Sequence, residues 1–404
     1  SMTAGINKEN IVGIITETGG KTSHSAILAR ALEIPAVLSV NGAVSKLSAG
    51  AYVIVDGSEG VVIDEPDDAV IQEYNTKRIN FLKERKELEN FRGKATKALS
   101  GEEYELFCNI GKPEDAIKAV DADGEGVGLF RTEFLFMDRT ALPTEDEQFD
   151  AYKKAALTLK GKPVIIRTLD IGGDKEIPYL GLKKEENPFL GFRAIRYCLK
   201  HKDLFKTQLR AIVRASAFGD VRIMFPLITA VEELREGKAL VEEVKAELRE
   251  QGVEFNENIP VGIMTETSAA VMIADILAKE SDFFSIGTND LTGYTMACDR
   301  GNDDVAYLYS PLQPSVLRGI KYIIDCANKN NISVGMCGEA AANPMMVPLL
   351  MSFGLTEFSV SAPSVLKVRK TISTWSKAEA DKVAEKVLAM TTEKEISDYL
   401  KTLL

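Results

Sequence analysis

Histidine is nearly absent from this chain. His24 and His201 are the only two among 404 residues, so any imidazole chemistry falls to one of those positions. His201, in Lys200-His201-Lys202-Asp203 between helical patterns, reads as an exposed loop residue. Cysteine is sparse too: Cys108, Cys198, Cys298, Cys326 and Cys337 are odd in number, widely spread and lack a Cys-x-x-Cys pair. That fits reduced thiols in a cytoplasm better than a zinc framework or a disulfide-stapled fold. No apolar run is long enough to span a bilayer and no signal peptide is evident, so membrane insertion is not expected. Positive charge is not in excess: 49 Lys and Arg stand against 60 Asp and Glu, a formal net charge of -11, which excludes an electrostatic partnership with nucleic acid. An anion site in such a chain has to be a local cluster of arginines.

What remains is an ordinary globular composition, 45% hydrophobic and 27% charged, long enough for two or three domains. Short apolar runs at 11–15, 36–40, 52–55 and 61–63, with one helical pattern between the first two, predict a small α/β domain over 1–65. Within it Asp56-Gly57, before Ser58-Glu59-Gly60, reads as a hairpin connection. Residues 66–98 are rich in Lys and Glu, lack glycine until Gly93, and space Val70, Tyr74, Ile79, Leu82, Leu88 and Phe91 as a long linker helix with a solvated face. Over 99–404, eight β-rich runs at 104–110, 126–130, 164–166, 221–225, 261–264, 283–286, 333–336 and 357–360 are separated mostly by helical patterns. Eight such strands predict an α/β fold of the (β/α)8 TIM barrel type, with an active site at the C-terminal strand ends. The stretch 377–404 reads as amphipathic helices closing that barrel.

Polar residues recur at the same end of these runs. Arg131 follows the second, Arg167 the third, Glu266 the fifth, Asn289 and Asp290 the sixth, and Cys337 the seventh. Glu266 and Asp290, on strand ends expected to be neighbours, suit Mg²⁺, which takes one or two carboxylates plus substrate oxygens and water; hydrogen-bonded loop residues are the alternative. Arg131, Arg167 and Arg300, with Arg193 able to join them, offer the planar donors that a small phosphate- and carboxylate-bearing substrate needs. Arg196, Arg210 and Arg222 read as surface or ion-pair residues. Cys337 is either an inert buried thiol or a proton donor to a neighbouring carbanion. In the first domain, Gly19-Gly20-Lys21-Thr22-Ser23-His24 precedes an apolar helical pattern. Thr22 or Ser23 can cap that helix, and His24 falls in its first turn, where the positive end of the dipole favours a neutral ring and a bound phosphate. The alternative is a surface histidine at a helix start.

These strings together resemble enzyme I of the bacterial phosphoenolpyruvate:sugar phosphotransferase system. The resemblance is carried by GGKTSHSAILAR from Gly19, GVGLFRTEFLFMDR from Gly126, IRTLDIGGDK from Ile166, NPFLGFRAIR from Asn187, DFFSIGTNDLTGYTMACDRGN from Asp282 and GMCGE from Gly335, in family order along nearly the whole chain. It implies a cytoplasmic, Mg²⁺-dependent enzyme that transfers the phosphoryl group of phosphoenolpyruvate to His24, releases pyruvate, and passes the group to the carrier HPr for sugar uptake. By similarity Glu266 and Asp290 ligate Mg²⁺; Arg131, Arg167, Arg300, Arg193 and Asn289 hold the substrate; Cys337 protonates the enolate. The barrel of such an enzyme also makes a homodimer, and the small domain would be part of a phosphohistidine domain swivelling on the 66–98 helix.

The chain departs from the family pattern at Gly293, where glutamine is usual, at Thr265, at Ser268 and at Ala342-Asn343, which puts the shape around the metal and substrate in question. The resemblance also implies that a helical HPr-binding subdomain and the first strands of the phosphohistidine domain lie before the point where this chain starts. Ser1-Met2 then reads as an expression remnant, and productive docking of HPr by this stretch alone is not expected. Two other readings compete. A pyruvate phosphate dikinase or phosphoenolpyruvate synthase would need an ATP-grasp domain that this sequence lacks. A non-catalytic phosphoenolpyruvate-sensing fragment would bind substrate without phosphorylating His24.

Overall fold

The computed structural model describes residues 10–18, 29, 34–137, 139–172 and 177–404; His24 and its helix lie outside the described residues. The chain divides into two compact units, Ser1–Asn90 and Phe91–Leu404.

In the first unit, β1 (Ile14–Ile15) pairs in parallel with β2 (Ala36–Val37). The strands β3 (Val53–Asp56) and β4 (Val61–Asp64) form the hairpin expected from Asp56-Gly57. The Asp56 carboxylate fixes its turn by accepting the Ser58 and Glu59 N–H groups at 2.9 and 3.0 Å. A helix then runs over Asp68–Glu89. Its N-cap Asp67 accepts the Val70 N–H at 2.9 Å, and an i,i+4 pair joins Lys77 to Glu73 at 2.8 Å. None of its side chains is buried.

The second unit is a closed barrel of eight parallel strands: β5 (Glu105–Ile110), β6 (Val127–Arg131), β7 (Val164–Arg167), β8 (Val221–Phe225), β9 (Val261–Thr265), β10 (Phe283–Gly287), β11 (Ser333–Cys337) and β12 (Glu357–Val360), with β12 closing onto β5. Each of the eight apolar runs forms a strand. Five of them extend one residue further than the apolar pattern, to Arg131, Arg167, Thr265, Gly287 and Cys337, because the backbone ladder continues where the side chain turns polar.

Alternation along each strand sorts the side chains. Ile110, Phe130, Ile166, Ile223, Phe225, Ile263, Ile286, Val334 and Phe358 point outward into the main core between strands and helices. Leu129, Ile165, Met224, Met264, Phe283 and Cys337 form a separate buried cluster that fills the barrel interior. Covering helices include Glu145–Thr158, Lys202–Ala215, Val231–Glu250 and Pro314–Lys329, whose inward faces are apolar. Each fully buried Leu, Ile or Phe on these faces contributes roughly 1.5–3 kcal/mol.

The barrel is tied shut at its entry and exit. Arg369, 1% exposed on the helix Val365–Ser373, donates to Phe91 O at 3.2 Å, Thr96 Oγ1 at 3.0 Å and Asp123 O at 2.8 Å, and pairs with the Asp123 carboxylate. Helices Lys377–Leu388 and Glu393–Lys401 follow, each opened by a capping box, Ser376 with Glu379 and Thr392 with Glu395. Among the described residues no helix is long and apolar enough to cross a membrane.

Candidate active site

The C-terminal rim of the barrel gathers charge in a way the apolar interior below it cannot satisfy. Arg167 ends β7 and is 6% exposed. Its Nη2 meets Glu133 Oε1 at 2.8 Å and its Nη1 meets Asp170 Oδ2 at 3.1 Å. Asp170 is shared: its Oδ1 lies 2.9 Å from Arg193 Nη2, which also reaches Asp290 Oδ2 at 3.0 Å, while Arg193 Nη1 donates to Tyr294 Oη at 3.2 Å. One continuous network therefore joins the loops after β6, β7 and β10 with the segment before the helix Ala194–Lys200. Burial works against the charge of both arginines. Glu133 and Asp170 around Arg167, and Asp170 and Asp290 around Arg193, outweigh it and keep both guanidinium groups charged.

Glu266 follows β9 and is 3% exposed, with Oε1 accepting the Leu227 N–H at 2.7 Å. Burial first, and then the negative charges of Asp290 and Asp170, push its carboxyl up to about 8. Asn289 and Asp290 lie in the first turn of the helix Thr288–Met296, directly beyond β10. The Tyr309 hydroxyl donates to Asn289 O at 2.9 Å, and exposed Arg300 hydrogen-bonds the same phenol. Arg131 ends β6, its guanidinium 5.5 Å from the Phe134 ring centroid. Arg131, Arg167 and Arg193 each keep a buried Nε that meets no acceptor among the described residues. Buried donors without partners are uncommon in folded proteins and mark sites reserved for function.

Cys337 ends β11 with its thiol buried. Ser285 Oγ donates to its sulfur at 3.5 Å, and the thiol faces Ile286 O at 3.8 Å. Burial outweighs the pull of Ser285 and Arg167 and lifts the thiol to about 11, so the group carries its proton at neutral pH.

Backbone geometry at the rim is set by small residues. Gly172 has φ +95°, and a Cβ there would stand 2.6 Å from Arg193 Cβ; Gly338 has φ +115°, and its Cβ would stand 2.5 Å from Thr288 Oγ1. A side chain on Gly287 would meet Glu266 Oε2 at 2.7 Å, so the glycine that ends β10 makes room for the carboxylate of β9.

This arrangement can hold a small anion with several negative oxygens and offer it a protonated thiol. The family description "PEP-utilising enzyme, PEP-binding domain" matches residues 85–376, and "PEP-utilising enzyme, mobile domain" matches residues 1–60. The chain belongs to the phosphoenolpyruvate-utilising enzyme family. Similar proteins include one from Priestia megaterium, 48% identical over 402 residues, and one from Bacillus subtilis strain 168, 49% identical over 401 residues; both are named phosphoenolpyruvate-protein phosphotransferase. The alignments take in 100% and 99% of this chain and 70% of either relative. Among solved structures, a citrate lyase from Burkholderia xenovorans aligns with a TM-score of 0.33 and 20% identity, over 46% of this chain and 58% of its own, too slight a likeness to argue from.

Within this family member the structure joins Arg193 to Asp290 directly and to Arg167 through Asp170, sets Glu266 beside them, and places Arg131, Asn289, Arg300 and Cys337 on the same rim. Sequence reasoning overlooked Glu133, Asp170 and Tyr294. Their only signal was position: Glu133 stands two residues after Arg131, and Asp170 three after Arg167, both in loops leaving strand ends. Arg210 and Arg222 are ion-paired as expected, to Glu145 and Glu247 and to Asp220. His201 stacks on Tyr197 at 4.0 Å between centroids and is exposed.

Proposed function

We propose that the chain catalyses the reaction in its relatives' name. The barrel binds phosphoenolpyruvate, the phosphoryl group moves to His24 and pyruvate leaves; onward transfer to HPr in the cytoplasm, which drives sugar uptake, draws in addition on the docking subdomain that the resemblance to enzyme I implies. The carrying observation is the arginine and carboxylate network on the strand ends, set beside a buried thiol that keeps its proton. Arg131, Arg167, Arg193 and Arg300 bind the substrate's phosphate and carboxylate, with Asn289 beside them. They hold the phosphorus in line for the imidazole and spread the charge that builds on its oxygens. As the bond from phosphorus to the enolate oxygen breaks and the bond to the His24 nitrogen forms, the Cys337 S–H delivers its proton to the methylene carbon. That protonation turns a high-energy enolate into pyruvate and makes the step favourable.

The residues present fit Mg²⁺. The negative charge of Asp290 pushes the Glu266 carboxyl up, an opposition that a cation held by the two carboxylates would relieve. When bound, Mg²⁺ would neutralise phosphate charge. The rest of this reading assigns 1–65 to a phosphohistidine domain that swivels on the 66–98 helix, and 99–404 to a barrel that also forms a homodimer.

The test is to incubate the chain with phosphoenolpyruvate and Mg²⁺ and to measure pyruvate release together with acid-labile phosphate. The expected result is stoichiometric pyruvate and acid-labile phosphate, the phosphate disappearing when His24→Ala removes the imidazole. Phosphoenolpyruvate binding with neither product would overturn the reading in favour of a sensing fragment.

A further inference from the structure

The proton donor of the proposed reaction must be re-protonated each turnover, and a second ionisable group lies beneath it inside the barrel. Glu357 opens β12 and is 4% exposed; its Oε1 is buried and meets no donor among the described residues. It is not at the rim. In the ladder between β11 and β12, Cys337 is level with Ser359 and Gly335 with Glu357, so the carboxyl stands one inward-facing level below the thiol. No β11 side chain separates them, because that level of β11 is Gly335, where a Cβ would sit 2.8 Å from Glu357 Cδ. On the far side a Cβ on Gly128 would collide with both Glu357 Oε1 and Ser359 Oγ, which therefore crowd one small space. Ser359 Oγ donates to Asn109 Oδ1 at 2.6 Å. Level with Glu357 in the ladder between β12 and β5 is Glu105, exposed at the start of β5; it and Arg222 on β8, paired with Asp220, both act electrostatically on Glu357, and Glu357 acts on Cys337. Polar side chains thus stand level with the sulfur, at Ser359, and one level nearer the N-terminal face, at Glu357, in an interior otherwise lined by Leu, Ile, Met and Phe.

We propose that Glu357 is a proton-relay residue that re-protonates Cys337 from the barrel floor, through the Ser359 hydroxyl, on the side away from the substrate. This deepens the phosphotransfer reading and rests on it. The Cys337 S–H bond breaks as a C–H bond forms on the enolate carbon. The Ser359 hydroxyl, which rests on Asn109, turns to the sulfur, so that the thiolate takes its proton while Ser359 takes the proton of the Glu357 carboxylic acid, and the carboxylate is reloaded from solvent at the barrel floor. No electrons are exchanged. Such a route suits a rim closed by bound substrate, because the proton need not pass it. The acid is loaded at neutral pH: burial first, and then Glu105, push it up to about 8 against the opposing pull of Arg222.

The test follows exchange of pyruvate methyl hydrogens in deuterated water by proton NMR, a readout of the thiol that needs no phosphoryl transfer. The unmutated chain is expected to exchange them at a rate that rises as pH rises through about 8, because C–H abstraction needs the thiolate and Cys337 passes its proton to a Glu357 carboxylate. Glu357→Gln should slow exchange by roughly tenfold or more and flatten that profile, with Glu357→Asp restoring part of both. Ser359→Ala should slow exchange as well, and it carries the test if the glutamine variant fails to fold. Exchange at the parental rate and pH profile in folded Glu357→Gln, or in Ser359→Ala, overturns the relay while leaving the phosphotransfer reading in place. An unmutated chain that catalyses no exchange overturns the role of Cys337 and the relay with it.

Discussion

Asp170 is the residue on which two guanidinium groups converge, with contacts of 3.1 Å to Arg167 and 2.9 Å to Arg193. Its place was hidden in the sequence because Arg193 lies 23 residues further along the chain. Each arginine was legible as an anion donor; the carboxylate that aims both was not. Replacing it with a neutral isostere leaves two buried cations less well opposed. Asp170→Asn is therefore expected to weaken phosphoenolpyruvate binding about tenfold by calorimetry through misaimed guanidinium groups, and to lower unfolding stability by about 3 kcal/mol in urea. Glu357 was overlooked for a different reason. A lone Glu at the head of an apolar run looks like the solvated start of a strand, and only barrel closure shows that it faces the lumen. Its folded value near 8 is above the ordinary 4.5, so the folded chain holds a proton that the unfolded chain releases. The stabilisation is full below about 4.5 and is lost as pH rises toward 8. Glu357→Gln is expected to cut the fall in unfolding free energy between pH 5 and 8 by about 1 kcal/mol per pH unit, leaving the share due to Glu266.

At the scale of elements, the barrel strands were the most legible part of the chain. Strands covered on both faces read as continuous apolar runs, and Val221–Phe225 and Glu357–Val360 begin and end where the pattern does. The hairpin at Asp56-Gly57 was an equally local signal. The clasp that holds the first residues of the second unit was not, since Arg369 meets Thr96 across 273 positions. It is a buried charge with four protein partners, so losing it strands the Asp123 carboxylate and frees the backbone at Phe91. Arg369→Ala is expected to destabilise the barrel by about 4 kcal/mol in urea unfolding, with substrate affinity unchanged under conditions where it stays folded.

At the scale of the whole molecule, a chain of net charge -11 sets the buried Arg167 and Arg193 together on the C-terminal rim of one barrel, which is how an acidic protein can hold an acidic substrate. The acceptor histidine was the clearest single motif in the sequence, yet it falls outside the described residues, so the link between donor rim and His24 rests on chemistry. The measurement that tests it most directly is phosphohistidine formation on His24, read by mass spectrometry under non-acidic conditions, in the parent chain and in Arg167→Lys. The account predicts one phosphoryl group per parent chain with phosphoenolpyruvate and Mg²⁺, and a rate at least about a hundredfold lower in a folded Arg167→Lys, because an ammonium cannot replace the bidentate guanidinium. Phosphorylation of His24 at the parental rate in that variant would contradict it.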